Sequence, residues 1–199
     1  MRERSGKSLS FFLNLHFITD KNIRFGEDSV EKMVDWALEH VPASSNPRIL
    51  DIGSGNGTLL FALCDAGYAT PYLSGIDYSP DAVKLARMVA RTRESEEIAF
   101  HVCDFLSQLP PPPVPGPGQL DVLDLEGWDL LLDKGTYDAI ALGEKDGSGE
   151  SPVAAYPLRA SRLLRENGYF LITCQLQPDL IPSGLTDHCP QLATLRKRS

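Results

Sequence analysis

The 199-residue chain lacks any Cys-x-x-Cys pair: Cys64, Cys103, Cys174 and Cys189 are scattered, and no histidine stands at a spacing that would complete a zinc site with them. That leaves no metal-ligand pattern and reads as reduced thiols of the cytosol or nucleus rather than a disulfide framework. No stretch approaches the ~20 apolar residues of a membrane span. Arg2, Arg4 and Lys7 ahead of Leu9 to Leu15 have the outline of a signal peptide, but Asn14 and His16 break the apolar run. Thr19-Asp20-Lys21 is also no small-residue cleavage site, so export is not expected. Net positive charge is missing too. A formal charge of -8 lacks the basic footprint of phosphate-dominated nucleic-acid binding and suits a cationic partner such as a lysine-bearing protein surface.

What is present is alternation. Apolar Val30, Met33, Val34, Ala37, Leu38 and Val41 recur at helical spacing, with Asp28 and Glu31 set as a capping box. After a turn-rich break from Pro42 to Pro47, residues 48 to 52 read as a short buried strand that runs into glycines, and residues 58 to 66 as a helix stopped by Gly67. The unit repeats. Residues 72 to 76 form a strand ending at Asp77, Ser79 caps a helix with Pro80 in its first turn, and Ala82, Leu85, Ala86 and Val89 supply its inner face. Further strands are expected over 98–102, 128–132 and 168–173, with a helix through 153–164. Strands alternating with helices predict an α/β domain with a mostly parallel sheet covered on both faces. Residues 107–127, with prolines at 110 to 113, 115 and 117, read as an exposed insertion, either a passive loop or a ligand for a proline-binding domain. Residues 175–199 have three prolines and no sustained periodicity, and are expected to be disordered.

Gly53, Gly55 and Gly57 follow a strand and open a helix, which allows a tight turn and close approach of a ligand to the backbone. Alone they would fit any tight connection. Asp51 narrows the choice, because a dinucleotide pyrophosphate beside that carboxylate would meet a repulsion of ~4 kcal/mol at ~4 Å and an effective dielectric near ~20. The same carboxylate suits a cationic amino-acid group. Asp77, with Tyr78 beside it, ends the second strand where a carboxylate accepts from ribose hydroxyls, and Asp104 with Phe105 ends the third where an adenine would lie. Each Asp alone could equally be a cap. Asp133 leaves the fourth strand on the same edge, with Tyr137 a turn later. It reads either as a residue facing the transferred group, with Tyr137 as a wall, or as a cap for the next helix.

These residues resemble the class I S-adenosylmethionine-dependent methyltransferases, and more closely the lysine methyltransferases of translation elongation factor one-alpha. The matching stretches are residues 24–27, 50–57, 75–80, 103–106, 133–139 and 168–173, and the Asp-Lys-Gly-Thr-x-Asp-Ala run from Asp133 is the most specific. The resemblance implies a Rossmann-like fold and S-adenosylmethionine contacts at Asp51, Gly53, Gly55, Asp77, Tyr78, Asp104 and Phe105. It implies a target lysine near Asp133 and Tyr137. The expectation is therefore a monomer of the cytoplasm and also of the nucleus, with a protein substrate and neither a membrane nor a nucleic-acid partner. The ends differ from the family's: residues 1–23 form a divergent segment before a domain over 24–174, and the tail from 175 leaves the family's C-terminal antiparallel hairpin missing. A hairpin-less sheet would expose an edge, which keeps a non-catalytic cofactor-binding or interaction protein as an alternative; a nicotinamide-dependent oxidoreductase is a third reading that Asp51 disfavours.

Overall fold

The computed structural model describes residues 13–19, 27–114, 127–143, 152–173 and 191–197. In chain order the elements are β1 Leu13–Thr19, α1 Glu27–His40, β2 Ile49–Ile52, α2 Thr58–Asp65, β3 Leu73–Asp77, α3 Pro80–Thr92 and β4 Ala99–Val102. They continue with β5 Trp128–Lys134, α4 Thr136–Ala141, α5 Tyr156–Leu163, β6 Leu164–Thr173 and β7 Gln191–Lys197. The strands form one seven-stranded sheet in the order β1-β7-β6-β5-β2-β3-β4. β2 pairs parallel with β3 and β5, and β4 and β6 extend the parallel set on either side.

Period-two alternation divides the core between the faces. Ile49, Leu73, Phe100, Leu130, Leu132 and Leu171 pack on one side with Met33 and Ala37 of α1, Leu59 and Leu63 of α2, and Ala86 and Ala90 of α3. Leu50, Ile52, Ile76, Leu131, Phe170 and Ile172 pack on the other with Tyr137 of α4 and Tyr156 and Ala160 of α5. The expected doubly covered parallel sheet is what forms. β2, β3 and β5, buried nearly throughout, carry the sheet's centre.

Three expectations need correction. The antiparallel closure expected to be missing is present: β7 pairs antiparallel with β6 from Tyr169↔Arg196 to Ile172↔Ala193, and with β1 from Leu13↔Lys197 to Thr19↔Gln191. Main-chain pairing with distant strands, not local apolar periodicity, defines β7, so part of the tail expected to be disordered is strand; residues 174–190 lie outside the described residues. The inner face of α3 is Val83, Ala86 and Ala90, and Leu85 is exposed. Overlapping i, i+3 and i, i+4 patterns allowed the helix phase to be read one residue early. Finally, α1 starts at Glu27, which puts Asp28 inside the helix instead of at its cap. Ser79 does cap α3, accepting from the Ala82 N–H at 3.3 Å. Of the proline-rich insertion, residues 115–126 lie outside the described residues.

Candidate active site

The carboxyl ends of the parallel strands meet around the glycine turn. The Gly53 and Ser54 N–H groups both donate to the Ile76 carbonyl, at 2.8 and 2.9 Å, tying the turn to β3. Gly53 has φ +75°, and a Cβ there would lie 1.8 Å from Thr136 Oγ1, so any larger residue would push the α4 turn away from β2. Gly55, at φ +54°, would direct a Cβ into open space. Its N–H donates to Asp77 Oδ2 at 2.9 Å, while Asp77 Oδ1 accepts from the Ser79 N–H at 2.9 Å. The β3 carboxylate thus fixes both the glycine turn and the start of α3.

Two cavities flank this turn and share Gly53 and Lys134 as lining residues. The larger, about 510 Å³, is bounded by Ile52, Ile76, Asp77, Tyr78, Phe105 and Ile140 among others. Tyr78 is 78% exposed at its rim. Asp104 also lines it, but folds back on its own turn: Oδ1 accepts from the Leu106 N–H at 3.0 Å and Oδ2 from Ser107 Oγ at 2.6 Å. Phe105 is buried as the apolar wall. The smaller cavity, about 310 Å³, is lined by Val30, Asp51, Ser54, Asn56, Thr58 and Leu59.

Asp51 dominates the smaller cavity. It is buried, its Oδ1 has no hydrogen-bond partner among the described residues, and neither does the neighbouring Ser54 Oγ. Burial, then the charges of Asp133 and Asp77, push its carboxyl up to about 7, with Lys134 acting the other way. An unpaired carboxylate on a cavity wall is a receptor for a cation with N–H donors.

Asp133 and Tyr137 sit differently. Asp133 is fully buried beneath the cavity wall and is saturated. Oδ1 accepts from the Thr136 N–H at 2.7 Å, Oδ2 from the Tyr137 N–H at 3.0 Å and from Tyr156 Oη at 2.5 Å. Of the two readings of Asp133, the cap is the one its contacts take. Burial raises it to about 7 against these hydrogen bonds, which pull it down. The Tyr156 hydroxyl is pushed well above its usual range by burial and the Asp133 charge. Tyr156, which sequence reading missed, packs edge-on against Phe105 at 4.7 Å and Tyr137 at 5.5 Å between ring centres. Thr136 was also missed: its Oγ1 donates to the Ile52 carbonyl at 2.9 Å. Its place in the Asp-Lys-Gly-Thr run was the available signal.

A profile described as a methyltransferase domain matches residues 43–196, spanning the sheet from before β2 into β7. The chain belongs to this methyltransferase family. Among curated relatives, the chain is 34% identical to the protein-lysine N-methyltransferase efm4 of Schizosaccharomyces pombe, over 79% of this chain and 66% of that protein. It is 36% identical to the EEF1A lysine methyltransferase 2 of Danio rerio over 76% of this chain and 57% of that one. With the protein-lysine N-methyltransferase EFM4 of Saccharomyces cerevisiae it shares 34% identity over 85% and 71%. The chain therefore spans between 57% and 71% of the length of these relatives. Among solved structures, coclaurine N-methyltransferase bound to N-methylheliamine and SAH superposes with TM-score 0.51 at 13% identity, covering 78% of this chain and 38% of that one. The YcgJ protein of Bacillus subtilis gives TM-score 0.51 at 21% identity, over 74% and 50%. These two share the methyltransferase fold with it.

Proposed function

We propose that this chain transfers a methyl group from S-adenosylmethionine to a lysine side chain of translation elongation factor one-alpha, the protein named in its EEF1A lysine methyltransferase 2 relative; the EFM4 relative is named as a protein-lysine methyltransferase. The observation that carries the cofactor reading is the orphaned pair Asp51 Oδ1 and Ser54 Oγ, in a cavity that shares Gly53 and Lys134 as lining residues with a larger apolar one. That arrangement fits a ligand with a cationic amino-acid end and an adenosyl end. Asp51 and Ser54 would hold the amino-acid end, and the bare backbone at Gly53 and Gly55 would admit it closely. Asp77 and Tyr78 would hold the ribose, and Asp104 and Phe105 the adenine; the carboxylates of Asp77 and Asp104 retain lone pairs beyond those their own turns use. A pyrophosphate would oppose Asp51, which argues against a nicotinamide cofactor.

S-adenosylmethionine, when bound, supplies an electrophilic sulfonium methyl. The chain's task is to present a neutral lysine amine in line with it and to exclude water. Making a lysine neutral near pH 7 costs about 4.6 kcal/mol from a pKa of ~10.4, and its proton can leave to solvent through the open mouth. Asp133 acts in this reading as a positioning residue. It gathers the N–H groups of Thr136 and Tyr137 and the Tyr156 hydroxyl, and so fixes the turn whose Lys134, Gly135 and Thr136 line the larger cavity. Tyr137 supports the wall from behind.

β7 covers the β6 edge whose exposure would favour a non-catalytic role. Among the described residues no helix is long and apolar enough to cross a membrane. The reading has the chain working as a monomer in the cytoplasm, with access to the nucleus, on a protein and on neither membrane nor nucleic acid. The test is incubation of the purified chain with methyl-labelled cofactor and recombinant elongation factor one-alpha. Label on a lysine of the factor is expected. Cofactor binding without label in the factor would refute the substrate.

A further inference from the structure

None of the described residues of the proline-rich insertion lines either cavity, and its first half has a regular presentation. From Leu109 to Pro112 every residue precedes a proline, which drives each out of the helical region, and the prolines themselves hold φ near about −65°. The described chain has no cis peptide bond. Four consecutive trans prolines dictate a polyproline II helix, with ~3 residues per turn and no internal hydrogen bonds.

Burial follows that period. Pro110 and Pro113 are buried, Pro111 is half-buried, and Leu109, Pro112 and Val114 are exposed. Leu109 is 79% and Val114 48% exposed, large values for apolar side chains. One ridge of the three-sided helix, Pro110 with Pro113, is buried. The ridge of Leu109 with Pro112 is exposed throughout, and that of Pro111 with Val114 runs from half-buried to exposed. The segment is anchored at its start, where Arg159 Nε donates to the Phe105 carbonyl at 2.6 Å and an Arg159 terminal nitrogen to the Gln108 carbonyl at 2.6 Å. Among the described residues no hydrogen bond uses the carbonyls of residues 109–114, which leaves them available to donors of a partner.

We propose that Leu109 to Val114 is a pre-formed polyproline II ligand for a small domain with an aromatic-lined groove of the EVH1 type. Such grooves straddle two ridges of the helix and benefit from a ligand that has already lost its conformational freedom. The composition selects among groove types. No Lys or Arg occurs anywhere in residues 103–127, so a groove that adds an acidic pocket for a flanking cation, as SH3 grooves do, finds nothing to fill it. A single apolar residue leading four prolines, as Leu109 does, matches a groove that combines an apolar pocket with proline slots.

The experiment is biolayer interferometry of the full chain against purified EVH1, SH3 and WW domains. The EVH1 domain is expected to bind, and Leu109→Ala and Pro112→Ala, both on the exposed Leu109–Pro112 ridge, each to weaken binding at least about tenfold without moving the melting temperature. Binding by the SH3 or WW domain alone, binding that survives both substitutions, or no binding by any of the three would overturn the proposal.

Discussion

Replacing Asp51 with Asn should make the ligand-free protein more stable and abolish cofactor binding. In the folded state the Asp51 carboxyl is raised from 3.8 to about 7, chiefly by burial. In the unfolded chain it is already ionised above about pH 4. Between those values the folded state holds a proton that the unfolded state has lost, so stability is full below the unfolded value and falls as pH rises through the folded one. A rise of about three units at ~1.36 kcal/mol each would be ~4 kcal/mol; part of it is mutual repulsion with Asp133, so a recoverable gain on the order of 2–3 kcal/mol above neutrality is expected. For a domain of this size that is a melting-temperature increase of about 4–10 °C. The assay is differential scanning fluorimetry of both proteins from about pH 5 to about pH 8, with and without S-adenosylmethionine. The Asn variant should show a gap over wild type that widens as pH rises. Asp133 keeps its own share of the pH slope. Saturating cofactor at ~100 times its dissociation constant should stabilise wild type by about 2.7 kcal/mol and the variant by almost nothing. A variant that melts below wild type near pH 8, or that retains the cofactor shift, would refute the idea that Asp51 is a strained receptor.

Other perturbations follow the same geometry. Gly53→Ala forces φ +75° on a side chain whose Cβ meets Thr136 Oγ1, and should cost about 2–4 kcal/mol in denaturant unfolding together with cofactor binding. Asp77→Ala leaves the Gly55 and Ser79 N–H groups without their acceptor, and should weaken cofactor binding by at least about tenfold in calorimetry. Tyr156→Phe removes a hydrogen bond that lowers the Asp133 pKa, so the carboxyl should titrate at a higher pH. Stability near pH 8 should fall by about 1–3 kcal/mol. Unchanged thermal stability in that variant would show that the bond contributes nothing.

The central strands and the carboxylates at their ends were legible because both are local. Continuous apolar runs bounded by Asp51, Asp77 and Asp133 mark strand ends, and a parallel sheet brings those ends to one edge. The partner of Asp133 was not legible: Tyr156 lies 23 residues away and meets it only through the packing of α5 on the sheet. β7 was hidden for the same reason. Gln191–Lys197 follows a proline and lacks strict alternation, and its identity comes from pairing with β1 and β6. Asp133 itself shows the limit of position as evidence of role, since a strand-end carboxylate can cap a turn from below as readily as face a ligand from above.

Isothermal titration of the chain with S-adenosylmethionine, alongside NAD, tests the account most directly. Saturable heat is expected with S-adenosylmethionine, none with NAD, and loss of the heat in Asp51→Asn. Saturable heat with NAD, or none with S-adenosylmethionine from a folded chain, would contradict it.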